Sequence, residues 1–282
     1  MPNAESGPDG LPAPATEAGR AGLAALVRTP ARALIALDFD GTLSPIVPDP
    51  AAAHAHPGAV PALQRLASLV GTLAVITGRA AEAAVGLGGL DQVPGLIVLG
   101  QYGRQRWEAG DLTTPPVPPG VATARRDLPG VLAAAGAPDG TRTEDKSDAL
   151  AVHTRQAADP EQALELLREP LAGLAGRTGL EVQPGRMVIE LRPPGGDKGA
   201  ALKDLQAERK SAVVMFCGDD LGDRPAFLAV TELRADGIPG LTVCSGSEEV
   251  AALADVSDLV VDGPDGVVAL LGSLAAAMAA RA

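Results

Sequence analysis

The sequence predicts an α/β protein, a doubly wound parallel sheet interrupted by a smaller α+β insertion. Three observations carry the prediction. Apolar runs bounded by turn residues recur along the 282-residue chain, helical patterns separate several of them, and the middle of the chain instead reads as helix and hairpin, twice over. Continuous apolar runs of this length are strands buried on both faces, and their alternation with helices builds a parallel sheet.

In chain order, "MPNAESGPDGLPAPATEAGR" (1–20) is rich in Pro, Gly, Ala and acidic residues, which predicts a disordered tail and no secretory signal. "ALIALDFD" (33–40) is the first strand, followed by a helix at 60–70, a strand at 71–79, a helix at 79–87 and a strand at 95–103. Pro-rich "TTPPVPPG" (113–120) then opens the insertion. A helix near 120–136, strands at 141–146 and 148–155, a helix near 159–176, and strands at 179–184 and 185–193 follow, with tight turns near Ser147 and at Pro184-Gly185. "RPPGGD" (192–197) closes it. The first pattern resumes with a helix at 198–210, strands at 211–220, 240–246 and 258–263, a helix at 247–256 and an Ala-rich helix within 266–282. The expected division is a core of 21–112 and 196–282 and an inserted αββαββ domain of 113–195.

Composition narrows the function. A formal net charge of -12 disfavours nucleic acid and anionic lipid, and no apolar run reaches membrane-spanning length. Cys217 and Cys244 lack CxxC spacing and read as reduced, buried thiols of a cytoplasmic protein. A small-molecule partner and a monomeric state are expected. Aromatic residues make up only 2% of the chain, so Ala, Val and Leu must fill the core.

The chemistry gathers at strand ends, where parallel sheets bind ligands. Asp38, Thr77, Asp219 and Asp220 all fall there. A buried carboxylate serves as a nucleophile toward an anionic group only if a cation offsets the repulsion. Mg²⁺ suits oxygen donors, and Asp38 and Asp219 on neighbouring strands would supply them. Asp40, two residues beyond Asp38, would be placed by the turn at Gly41 to give and take protons. Thr77 would donate a hydroxyl hydrogen bond, and Lys198, opening the helix after "GGD", would bring an ammonium to a phosphate. In the insertion, Met187, Ile189 and Leu191 alternate with Arg186, Val188, Glu190 and Arg192. One side of that sheet is therefore apolar and the other charged. Glu144 with Lys146, and His153 with Arg155, share faces in the first hairpin, which favours ligand contact on the charged side.

"DFDGT", "TGR", "DKG" and "GDDLGD", in this order, resemble the four motifs of the haloacid dehalogenase superfamily, whose core is Rossmann-like. "LDFDGTLSPIV", "ITGR", "EDK…LAVHTR", "GRMVIELRPPGGDKGAAL" and "FCGDDLGDRPAF" are similar to the trehalose-6-phosphate phosphatase family within it. The resemblance implies Mg²⁺-dependent hydrolysis of trehalose 6-phosphate through a phosphoaspartate. Asp38 would be nucleophile and metal ligand. Asp40 would be acid/base and a further ligand through its carbonyl, with Asp219, Asp220 and Asp223 completing the metal site. Gly78, Arg79, Glu144, Lys146, Arg155, Arg186 and Glu190 would bind substrate. Gly222, Arg224 and Tyr102 depart from the family pattern, which more often has Thr, Glu and His there. Alternatives are a phosphatase of another sugar phosphate, of the sucrose or mannosylglycerate type, and a non-catalytic sugar-phosphate sensor. Hinge motion between core and cap is expected from the two Pro-Gly linkers.

Overall fold

The structure, a computed structural model, describes residues 11–146, 148–185, 187–194, 196–246 and 251–281. Tail residues 1–10, the turn at Ser147, the candidate residue Arg186 and the start of the helix expected at 247–256 lie outside the described residues. The chain divides into one unit comprising the chain up to Thr114 and from Asp197 on, and a second comprising Pro115–Gly196.

The first unit contains α1 (Glu17–Arg28), β1 (Ala33–Leu37), α2 (Ala59–Ala67), β2 (Thr72–Ile76), α3 (Ala81–Gly88), β3 (Leu96–Gly100), β4 (Gln105–Glu108) and β5 (Asp111–Thr113). The second follows with α4 (Pro119–Ala134), β6 (Arg142–Asp145), β7 (Leu150–His153), α5 (Pro160–Thr178), β8 (Glu181–Gly185) and β9 (Val188–Arg192). The first then resumes with α6 (Lys198–Arg209), β10 (Val213–Gly218), α7 (Arg224–Ala235), β11 (Gly240–Gly246), α8 (Ala251–Ala254), β12 (Leu259–Asp262) and α9 (Gly263–Ala279).

The larger sheet is eight-stranded, in the order β12-β11-β10-β1-β2-β3-β4-β5. Its six strands from β12 to β3 are parallel, and β4 and β5 add an antiparallel hairpin at one edge. That hairpin departs from the expected purely parallel sheet. Its sequence "QRWEAGDLT" carries charge at alternate positions and little apolar character, as an edge ribbon can. β1 shows why the central strands are apolar throughout. Ala33, Ile35 and Leu37 enter a core with α1, α2, α3 and α9, whereas Leu34 and Ala36 enter a second core with α6 and α7. Small aliphatic side chains fill both, helped by an edge-to-face pair of Phe216 and Phe227 with centroids 6.0 Å apart.

The expected disordered tail of 1–20 is corrected from residue 11 onward. Leu11 is buried, and Thr16 caps α1 by accepting from the Gly19 N–H at 2.9 Å. The Thr16 hydroxyl also donates to Asp258, so a tertiary anchor outweighs the Pro-rich composition.

The second unit is a four-stranded antiparallel sheet in the order β6-β7-β9-β8, with α4 and α5 packed on one face. Leu150, Val152, Ile189 and Leu191 point into that helical layer. Register places Glu144 opposite Ala151, and Ala151 opposite Glu190, on the other face. The second hairpin reverses later than expected: Pro184 and Gly185 are still paired, with Ile189 and Val188, so the reversal lies between Gly185 and Val188.

Candidate active site

β1, β2 and β10 lie side by side, and each ends on a side chain of the site. Asp38 follows β1, with its N–H bonded to the Cys217 carbonyl at 2.8 Å. Thr77 follows β2 and bonds in the same way to the Leu99 carbonyl at 2.9 Å. Asp219 follows β10. The ladder thus fixes these positions to within the width of a strand pair before any side chain contributes.

Lys198 opens α6, whose N-cap Asp197 accepts from Ala200 N–H at 2.7 Å. Lys198 is 4% exposed, and its ammonium lies 2.7 Å from Asp38 Oδ1 and 2.6 Å from Asp223 Oδ1. The second oxygen of Asp223 accepts from the Asp219 and Asp220 N–H groups at 2.9 and 3.3 Å. Asp223 therefore ties the lysine to the tip of β10.

Burial pushes the Asp38 carboxyl well above the ordinary value, against the pull of Lys198. Burial, then Asp223 and Asp220, push Asp219 up to about 8. Burial alone would lower the Lys198 value, but Asp223 and Asp38 outweigh it and hold the amine protonated. Three buried carboxylates thus face one ammonium.

That imbalance suits a divalent cation. Asp38, Asp219 and Asp223 each offer an oxygen, and these oxygens lie within 4.8 Å of one another. An all-carboxylate donor set fits a hard ion such as Mg²⁺. Gly41, at φ +69°, closes the first loop onto the same place: a Cβ there would fall 1.9 Å from Asp219 Oδ2. Its carbonyl accepts from the Ser245 hydroxyl at 2.6 Å. Among the described residues this trio is the one such cluster.

The other candidates are arranged differently. Asp40 is outside the trio, with its carboxylate gripped by Arg79 through Nε at 2.7 Å and Nη2 at 2.6 Å. Arg79 also donates to the Pro50 carbonyl at 2.8 Å and lies over the Phe39 ring. Asp220 is exposed, and its Oδ1 accepts from Gly222 N–H at 2.8 Å, capping the turn Leu221–Asp223. Its side chain thus serves the loop and is not in the oxygen trio. Arg224 is exposed at the start of α7. Thr77 is 1% exposed, and its hydroxyl oxygen accepts from Arg79 N–H at 3.1 Å. Gly78 lies against the Tyr102 phenol.

In the second unit Lys146 Nζ pairs with Glu190 at 2.6 Å, and His153 Nε2 lies 2.9 Å from Glu144. Arg155 is exposed in the turn after β7, which ends at His153. Three supporting contacts escaped sequence reasoning: Ser245 on Gly41, the Arg79 grip on Asp40, and Gln105, whose Oε1 accepts from Ala81 N–H at 2.8 Å at the start of α3. Each joins residues far apart in sequence, so no local pattern announces it.

Fold and site define the class, an α/β protein with a buried carboxylate cluster at the strand ends of a largely parallel sheet and an inserted α+β unit. The chain belongs to the trehalose-phosphatase family, whose model matches residues 36–260. It is 32% identical over 260 residues to a trehalose-phosphate phosphatase of Mycobacterium marinum, covering 86% of this chain and 62% of that one. A trehalose-phosphate phosphatase of Mycobacterium leprae is 34% identical over 222 residues, covering 72% and 48%. The chain therefore spans less than two thirds of the length of these relatives. A solved C-terminal domain of the Candida albicans trehalose-6-phosphate phosphatase has the same fold, with a TM-score of 0.74 at 24% identity, covering 94% of this chain and 98% of that one. No described helix is long and apolar enough to cross a membrane.

Proposed function

We propose that this chain is a phosphoric monoester hydrolase that converts trehalose 6-phosphate to trehalose and phosphate, working as a cytoplasmic monomer. The supporting observation is the Asp38–Lys198–Asp223 arrangement beside Asp219, in a chain of the trehalose-phosphatase family. Asp38 and Asp219 are the residues that would hold Mg²⁺, with Asp223 and Asp220 supporting from the loop and the Asp40 carbonyl a further donor. Bound there, the ion supplies positive charge that offsets the phosphate dianion.

Asp38 attacks phosphorus, and the bond from phosphorus to the sugar oxygen breaks as Asp40 gives that oxygen a proton. Water then attacks the phosphoaspartate at phosphorus, Asp40 takes its proton, and the Asp38 carboxylate is regenerated. Lys198 offsets charge on Asp38 and on the phosphoryl oxygens, and Thr77 donates to one of those oxygens. With both oxygens of Asp40 accepting from Arg79, the carboxylate is oriented, and delivering a proton requires the guanidinium to release one of them. Arg79 and the Gly78 backbone then meet the phosphate. Glu144, Lys146, Arg155, Arg186 and Glu190 select the sugar by charged hydrogen bonds to its hydroxyls.

Phosphate release with Mg²⁺ across a panel of sugar phosphates tests this. Trehalose 6-phosphate should exceed glucose 6-phosphate and sucrose 6-phosphate by a wide margin. Equal rates would overturn the sugar assignment, and binding without turnover would make the chain a sensor.

A further inference from the structure

Just past β3 the backbone enters the left-handed region at three successive residues: Gln101 (φ 49°), Tyr102 (φ 58°) and Gly103 (φ 97°). Glycine takes this conformation freely, whereas side chains with a Cβ resist it and visit it singly. Among the other non-glycine cases, Lys210 stands alone and Ala109 precedes a single glycine, Gly110 at φ 90°. Two adjacent strained residues persist only where surrounding contacts over-determine them.

The contacts are specific. Gln101 N–H donates to the Arg79 carbonyl at 2.8 Å, and Tyr102 N–H to the Thr77 carbonyl at 3.0 Å. The turn thus holds the backbone on both sides of Gly78. The Tyr102 phenol lies directly on Gly78, where an added Cβ would sit 2.9 Å from its oxygen, 3.0 Å from Cζ and 3.4 Å from Cε1. On its other side the turn abuts α6, the helix that Lys198 opens: a Cβ at Gly103 would fall 2.8 Å from the Ala201 Cβ. A normal β-region or αR backbone here would lose the paired donation to Thr77 and Arg79.

We propose that Tyr102 is a positioning residue of the phosphoryl site: its ring clamps Gly78 while the strained turn fixes the loop that carries Thr77 and Arg79. Tyr102 acts through that loop and not on the sugar, and the inference rests on reading Thr77 as a phosphoryl contact. The side chain at 102 is then coupled to Gly78 and indifferent to what the phosphate is attached to.

The test is a double-mutant cycle on the full chain with Mg²⁺, using trehalose 6-phosphate, p-nitrophenyl phosphate and, by calorimetry, inorganic phosphate. Tyr102→Ala should lower kcat about tenfold to a hundredfold on both esters alike, the cost of a small misplacement. Tyr102→Phe, which keeps the ring, should recover most of that loss. Gly78→Ala should be costly in the native background but add little to Tyr102→Ala, since all three atoms nearest the new Cβ belong to the phenol. Thermal unfolding of each variant shows whether the chain still folds, and the Tyr102→Phe comparison reads the role without depending on the truncation. Additive losses, or a Tyr102→Ala effect confined to the sugar ester, would overturn the proposal. Inorganic phosphate binding reads the loop without the sugar. Coupling there with no turnover of trehalose 6-phosphate would uphold the clamp and refute the substrate assignment alone.

Discussion

Replacing Lys198 by Met exposes the electrostatic design most directly. The ammonium is almost fully buried, with carboxylate oxygens at 2.7 and 2.6 Å, and Asp219 is buried beside them. Met is close in shape and apolar, so packing survives while the counter-charge disappears. Removing one partner of a buried ion pair costs about 3–5 kcal/mol, a large share of a typical stability of about 5–15 kcal/mol. For a unit of this size that is a fall in Tm of roughly 6–20 °C. Urea unfolding in the presence of a chelator measures it. Saturating Mg²⁺ should narrow the deficit, because an ion that binds only the folded state replaces the missing charge. A loss under about 1 kcal/mol in chelator, against the 3–5 expected, or no recovery with Mg²⁺, would refute the charge balance described here.

Further predictions concern other contacts. Asp258 is buried, and although burial alone would raise its carboxyl, bonds from Arg234, Thr16 and Thr242 hold it below the ordinary value of 3.8. Asp258→Asn should therefore cost about 2–3 kcal/mol at neutral pH. A depressed carboxyl contributes fully above its unfolded value, so the difference from the native chain should narrow as pH falls below 3.8, as acid titration of unfolding would show. Arg79→Lys removes the two-pronged grip on Asp40, and kcat should fall about tenfold or more, because an ammonium cannot reproduce the fork. Glu190→Gln breaks the 2.6 Å pair with Lys146, and KM for trehalose 6-phosphate should rise several-fold while p-nitrophenyl phosphate is far less affected.

Much of this was legible in the sequence because the central strands are buried on both faces. Unbroken runs such as "ALIAL" and "VVMFCG" announce them, and a charged residue directly after such a run is conspicuous. Asp38 and Asp219 stand out for this reason, and Thr77 as a polar residue ending the run of β2. The edge hairpin β4–β5 was not legible, since half-exposed strands carry no apolar run. α1 was hidden by the Pro-rich segment before it, and its start depends on the Thr16–Asp258 contact across 242 positions. The division of labour in "GDDLGD" was also closed to spacing arguments. Asp219, Asp220 and Asp223 look alike in sequence, yet the short turn Leu221–Asp223 turns Asp220 to Gly222 and Asp223 to Lys198.

The proposed mechanism requires that Asp38 itself bond to phosphorus. Acid-quenching the Asp40→Asn variant during turnover of p-nitrophenyl phosphate with Mg²⁺, followed by peptide mass analysis, tests it: p-nitrophenolate leaves without a proton, so only the water-attack step that needs Asp40 as base should slow, and the adduct accumulates. One added phosphoryl group on Asp38 and no phosphate release from Asp38→Asn are expected. A phosphorylated side chain elsewhere, or sustained turnover by Asp38→Asn, would contradict it.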